Sequence, residues 1–306
     1  MEVIYLKGQQ LHIDQPICTA LGFFDGLHIG HMALVNKVID IADKHGYKKA
    51  LMTFDHHPLF VLGLIDEEKY LTTMEDRIAI LESLGIDYLF VIEFNKEVAS
   101  LKPHDFVDKY LISQNIKHVV CGFDFKFGDK NSGNAETLKT YNQFETTVID
   151  EVVFEGEKIS SSRIRYILEN GHIKEINHLL GRKYCITGQV IKGRQIGKTI
   201  GFPTANVDYN AYFLPCGGVY VTKVYIQDRE FMGMCNIGYN PTFSALDKPS
   251  LEVYILDFDE DIYGCVLNVE FYELIRKEKP FHSKDELINQ LNKDKEYVRD
   301  YFKTQE

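Results

Sequence analysis

The chain has 306 residues, 45% of them hydrophobic, and a net charge of −11. That length and apolar content suit a globular protein of about two domains. They exclude a membrane span, since no apolar run approaches ~20 residues, and the acidic balance excludes a general nucleic-acid binder, which presents a basic face.

The start, Met1-Glu2-Val3-Ile4-Tyr5, lacks the basic lead and apolar core of a signal peptide. Strands are predicted at 17–22, 50–54, 88–93 and 118–122. Helices are predicted at 32–45, 75–84, 104–113 and 135–144, and Thr73 with Asp76 reads as a capping box. Strands alternating with helices predict a parallel sheet covered on both faces. Ligands bind such sheets beyond the carboxyl ends of the strands. Three turns fall at those ends: Gly22 to His31, Thr53 to Pro58 and Gly122 to Gly128. A further strand-like run at 146–154 leads into Ile159-Ser160-Ser161-Ser162-Arg163-Ile164-Arg165, which opens another helix.

After residue 181 the rhythm changes. Strands are predicted at 184–191, 218–225, 231–237, 251–257 and 266–274, separated by turns rich in Gly, Asn, Asp and Pro. This pattern predicts a small antiparallel barrel. One helix, from the N-cap Ser283 with Glu286 three residues on to about 302, closes it. The domain boundary is expected between 177 and 183, giving units 1–180 and 181–306. The six cysteines are scattered and never form Cys-x-x-Cys. They read as free thiols in a reducing cytosol, not as zinc ligands.

Gly22-Phe23-Phe24-Asp25-Gly26-Leu27-His28-Ile29-Gly30-His31 is the most informative stretch. A glycine turn lets backbone approach a phosphate, and a helix N-terminus offers unpaired N–H groups. There is no Gly-Lys-Ser/Thr, so the loop is not of Walker type. Paired His28 and His31 point to a site that holds a triphosphate with imidazoles and backbone amides. Ser161 and Ser162 can cap a helix or donate to phosphate oxygens, and Arg163 and Arg165 can add charge-assisted bonds. In the second half the segment from Gly193 to Asn206, with Lys198, Gly201 and Thr204, reads alone as a glycine-rich hairpin or as a phosphate loop.

Taken together, these motifs resemble the bacterial bifunctional riboflavin kinase/FAD synthetases. The first half carries Phe24-Asp25-Gly26-x-His28-x-Gly30-His31 and the serine-arginine motif. The second carries Gly201-Phe202-Pro203-Thr204-Ala205-Asn206, Asn236-Ile237-Gly238-x-x-Pro241-Thr242-Phe243 and 251–258. The resemblance implies a Rossmann-like nucleotidylyltransferase domain followed by a riboflavin-kinase barrel. It implies phosphorylation of riboflavin to FMN and adenylylation of FMN to FAD, with ATP and Mg2+, in the cytoplasm, and no nucleic-acid or membrane partner. It implies Glu252 as the kinase base, and His28, His31 and Arg163 as catalytic groups of adenylyl transfer. Gly22, Phe24, Gly26, Ser161, Ser162, Arg165, Gly193, Lys198 and Gly201 would meet ATP. His57, Asp124, Phe125, Asn236 and Arg276 would meet flavin, and Thr204 and Asn206 would hold Mg2+. The chain departs from the family at His56 (commonly Pro), Lys126 and Lys198 (commonly Arg) and Tyr254 (commonly His). The substitutions at His56, Lys126 and Lys198 motivate a second reading, an enzyme with a single surviving activity; a reading from another class is a flavin sensor that keeps both pockets and does not turn over. The oligomeric state is left open by the sequence.

Overall fold

A computed structural model describes residues 1–7, 13–193, 197–238 and 249–304. Pro241, Thr242 and Phe243, and residues 194–196 of the glycine-rich loop, lie outside the described residues. The chain divides into two compact units, Met1–Ser161 and Ser162–Glu306.

The first unit is built on six parallel strands: β1 (Glu2–Leu6), β2 (Ile17–Leu21), β3 (Lys48–Phe54), β4 (Tyr88–Ile92), β5 (Ile116–Gly122) and β6 (Glu145–Ile149), in the order β1-β4-β3-β2-β5-β6. Side chains alternate between the two faces, and each face has its own core. Leu51, Leu89 and Val91 pack under Leu34, Val35 and Val38 of α1 (Ile29–His45) and Leu81 of α2 (Met74–Ser83). Met52, Phe90 and Ile92 pack with Phe106, Val107 and Tyr110 of α3 (Pro103–Tyr110). Burial on both faces is why β2, Ile-Cys-Thr-Ala-Leu, is covered throughout. The strand order reverses between β2 and β5, so the turns that follow them flank one crevice at the rim. The expected capping box is present: Thr73 Oγ1 accepts from the Asp76 N–H at 3.2 Å, and Asp76 accepts from the Thr73 N–H at 3.0 Å.

Three local differences from the sequence reading have physical causes. β1 was not anticipated, because this edge strand is half-exposed and lacks a continuous apolar run. The helix predicted at 135–144 stops at Lys139, where Thr140 turns its hydroxyl back onto the Thr137 carbonyl. The run at 146–154 splits into β6 and a small hairpin that pairs Val153–Phe154 with Glu157–Lys158.

The second unit is a closed antiparallel barrel. Its strands are β7 (Tyr184–Ile191), β8 (Ala205–Asp208), β9 (Gly218–Ile226), β10 (Arg229–Gly238), β11 (Ser250–Ile255) and β12 (Val266–Lys277), in the order β7-β8-β11-β10-β9-β12. Period-two alternation sends Leu251, Val253 and Ile255 inward and leaves Glu252 and Tyr254 on the outer face. β8 is the barrel strand absent from the sequence reading, being only four residues long and starting two residues after Pro203. α4 (Ser161–Glu169) and α5 (Ile173–Leu180) precede the barrel. α5 is tied to it by Asn177, which donates to the Phe271 carbonyl at 2.9 Å and accepts from the Tyr184 N–H at 2.7 Å. Packing therefore divides the chain at Ser161/Ser162, earlier than the change of sequence rhythm near 180. The terminal helix α6 (Lys284–Lys303) is capped by Ser283 as expected, and Val298 joins Phe202, Val219, Val221 and Met234 on one outer face of the barrel.

Candidate active sites in the two units

In the first unit the turn after β2 is held from several sides. The buried Asp25 carboxylate accepts from the N–H groups of Leu71 and Thr72 at 2.8 and 3.2 Å. The Gly26 N–H donates to Thr72 Oγ1 at 2.9 Å, and Ser161 Oγ donates to the Asp25 carbonyl at 2.9 Å. The Phe23 carbonyl accepts from both Thr53 Oγ1 and Arg77 Nη1 at 3.0 Å. These bonds fix a conformation that side chains resist: φ is +56° at Phe24, +85° at Gly26 and +38° at Leu27. The Phe24 ring is buried under Gly22, so what Phe24 brings to a ligand is the shape of its backbone.

His28 ends this turn as the N-cap of α1. Its Nδ1 accepts from the His31 N–H at 3.2 Å. In a neutral imidazole that assigns the ring proton to Nε2, a donor one ring-width from the helix N-terminus. The His31 ring stacks on His28 with centroids 3.7 Å apart. A Cβ on Gly30 would lie 3.1 Å from His28 Nδ1, so a larger residue there would press on the His28 ring.

Arg77 was missed by sequence reasoning, since one arginine in an amphipathic helix carries no signal. It is 2% exposed, and its guanidinium lies 5.3 Å from the Phe23 ring centroid and 5.6 Å from that of Tyr70. Burial pushes its pKa down, with Asp25 and Tyr70 opposing that shift. His57 packs edge-on against Phe23 at 4.8 Å and caps the short helix Pro58–Val61. Glu68 accepts from the His57 N–H at 2.6 Å, from Tyr70 Oη, and meets His56 Nδ1 at 2.9 Å. Burial opposes ionisation of Glu68, yet these bonds outweigh it and lower its pKa; the same contact raises that of His56. After β5, Asp124 is ion-paired to Lys158, Phe123 is exposed, and Phe125 leans on the core. The exposed aromatic of this loop is thus Phe123, next to the predicted Phe125.

In the second unit the barrel register aligns three polar residues. Glu252 of β11 is the cross-strand partner of Asn206 on β8 and of Asn236 on β10. All three therefore stand side by side on the outer face. Thr204 Oγ1 donates to Glu252 Oε2 at 3.1 Å, and Ser250 Oγ to Oε1 at 3.2 Å. Gly193 leaves room beside this row: a Cβ there would fall 2.1 Å from Asn206 Nδ2 and displace the amide. Gly201 has φ +81° and closes the 197–202 turn, in which the Phe202 N–H donates to the Gly197 carbonyl at 2.9 Å. Thr204, Asn236, Glu252 and Arg276 line one cavity of about 330 Å³ together with Glu278 and Phe281. Lys198 and Thr204 line a second cavity of about 410 Å³ with Asp259 and Tyr263.

Arg276 is braced by the terminal helix. Its Nε and Nη2 both meet Asp294 Oδ2 at 2.9 Å, and Gln290 donates to Oδ1 at 2.8 Å. Asp294 is 1% exposed. Asp294→Ala would strand the arginine charge, and the expected loss is about 3 kcal/mol of stability, read by urea unfolding. Among the described residues no group of three His, Cys, Asp or Glu side chains could hold a metal. The oxygens of Thr204 and Asn206 suit Mg2+ shared with phosphates. Donation of the Thr204 proton to Glu252 leaves the hydroxyl lone pairs free for a cation, and the space left by Gly193 seats the Asn206 amide.

A parallel sheet with a phosphate-type turn, followed by a barrel with a carboxylate beside a glycine loop, defines a two-domain transferase of nucleotide chemistry. The FAD synthetase family matches residues 10–163, and the riboflavin kinase family matches residues 180–302. A bifunctional riboflavin kinase/FMN adenylyltransferase of Listeria monocytogenes is 42% identical over 95% of this chain and 98% of its own length. The Bacillus subtilis protein of that name is 42% identical over 92% of each chain. A crystal structure described as a macrolide-efflux protein from Streptococcus pneumoniae has a TM-score of 0.89 and 34% identity over 97% of this chain and 98% of that one. Among the described residues no helix is long and apolar enough to cross a membrane. The chain belongs to the bifunctional riboflavin kinase/FMN adenylyltransferase family, and it is an enzyme with both domains.

Proposed function

We propose that residues 1–180 transfer AMP from ATP to FMN and that residues 181–306 phosphorylate riboflavin. In adenylyl transfer an FMN phosphate oxygen attacks the α-phosphorus of ATP, and pyrophosphate leaves. Such chemistry needs positioning and charge stabilisation more than covalent help. The Nε2–H of His28 donates to the phosphate oxygens as negative charge builds, with His31 stacked on it. Gly22 and Gly26 shape the turn so that ATP can approach the α1 N-terminus, with Ser161, Ser162, Arg163 and Arg165 for its β/γ phosphates. His57, Asp124 and Phe125 are the flavin contacts of this domain.

In the barrel Glu252 accepts the proton of the ribityl 5′-hydroxyl as that oxygen attacks the γ-phosphorus. Asn236 and Arg276 orient the flavin, and Gly193, Lys198 and Gly201 the ATP. Mg2+, held by Thr204 and Asn206, neutralises polyphosphate charge when bound. The observation that carries the kinase assignment is the aligned row Asn206–Glu252–Asn236 with Thr204 bonded to its central carboxylate. Six free cysteines favour a reducing, cytoplasmic setting.

The test is direct. Purified protein with riboflavin, ATP and Mg2+ is expected to yield FMN and then FAD, resolved by chromatography. FMN without FAD would defeat the adenylyl-transfer reading, and no product from riboflavin or from supplied FMN would leave a flavin sensor.

A further inference from the structure

The acidity of this chain is concentrated in its first unit. Residues 1–161 carry 15 Lys and Arg against 25 Asp and Glu, whereas residues 162–306 carry 19 against 20. Yet ATP and FMN, which the first unit is proposed to gather, are both polyanions. The turn after β2 supplies no lysine. Arg77 is buried and already gives N–H groups to the Phe23 and Thr73 carbonyls. A local cation at the crevice would offset the unfavourable field of the unit.

Lys158 stands in that position. Its neighbour Ile159 places a carbonyl oxygen 3.8 Å from where a Cβ on Gly30 would sit, and Ser161 is bonded to the Asp25 carbonyl. The backbone of 158–161 therefore runs along the β2 side of the crevice. The Lys158 ammonium reaches the β5 side, where it meets the Asp124 carboxylate and lies 4.7 Å from the Phe123 ring centroid. Its side chain spans the two turns that flank the strand-order reversal. The Lys158 side chain is 38% exposed and that of Asp124 57%, so solvent reaches the pair. An exposed ion pair contributes little stability, so exchanging Asp124 for another anion costs little. A phosphate offers more charge and more acceptor oxygens.

We propose that Lys158 is a phosphate-binding residue of the adenylyl-transfer crevice, resting on Asp124 and Phe123 until a substrate phosphate takes its ammonium. This rests on the adenylyltransferase reading above. The phosphate belongs to FMN or to ATP, and kinetics separate the two.

Full-length Lys158→Ala and Lys158→Arg are assayed for FMN-to-FAD conversion with FMN and ATP varied separately, and for riboflavin phosphorylation as an internal control. Lys158→Ala is expected to raise one KM about tenfold or more, with riboflavin phosphorylation and the thermal midpoint at parental values. Lys158→Arg is expected to restore most of the affinity. A rise confined to FMN assigns the ammonium to the flavin phosphate, and a rise confined to ATP assigns it to the nucleotide. Both KM values within about twofold of the parent overturn the proposal, whatever happens to kcat. A parental enzyme that makes FMN but no FAD overturns the adenylyl-transfer reading, and this proposal with it, before any variant is made.

Discussion

Replacing Glu252 by Gln is expected to stop FMN formation while FMN-to-FAD conversion continues. The substitution keeps the length and shape of the side chain. A glutamine oxygen still accepts from Thr204 Oγ1, which donates to Glu252 Oε2 at 3.1 Å, so the aligned row with Asn206 and Asn236 survives. What disappears is the capacity to take the proton of the riboflavin 5′-hydroxyl. Removing a positioned general base costs about 10²–10⁴ in rate, whereas the cavity proposed for riboflavin, which Asn236, Arg276 and Phe281 also line, keeps its shape. The effect should thus fall on kcat with KM nearly unchanged. Chromatography of flavins after incubation with riboflavin, and separately with FMN, reads both activities in one preparation. Equal loss of both would contradict two separate sites.

Legibility in the sequence followed periodicity. β2, its glycine turn and α1 were readable because a fully buried strand, a glycine-bearing turn and an amphipathic helix come in immediate succession. The barrel was readable from alternation along β7, β11 and β12. β8 was not, since its four residues offer too few periods, although it carries Asn206. The grouping of α4 and α5 with the barrel was likewise hidden, because it depends on Asn177 bonding to Phe271 and Tyr184 across the fold. The motif residues that would touch substrate were visible in the chain. The residues that hold them in place were not: Arg77, Thr72 and Asp294 act through backbone carbonyls, N–H groups and another side chain, and such partnerships leave no local pattern. Glu278, two residues beyond Arg276, lines the same cavity as Glu252 and sits against Gly217 and Gly238.

His28→Asn separates the two jobs of that histidine. One job is structural: Nδ1 accepts from the His31 N–H as the cap of α1. Asparagine is a favoured N-cap, and its side-chain oxygen falls near the position of Nδ1, so the cap is kept. The other job is the Nε2–H, which asparagine lacks. His28→Asn is therefore expected to fold with a parental thermal midpoint and to convert riboflavin to FMN normally, while FAD synthesis falls by about 10²–10³, the cost of losing one donor to developing charge. His28→Ala removes the cap as well, at about 1 kcal/mol, and should add a lowered midpoint to the same catalytic loss. Full FAD synthesis by His28→Asn would mean that the imidazole serves only to start the helix. A fall in both activities would mean that the substitution acts through folding, and the comparison of midpoints between the two variants decides between that outcome and loss of the donor.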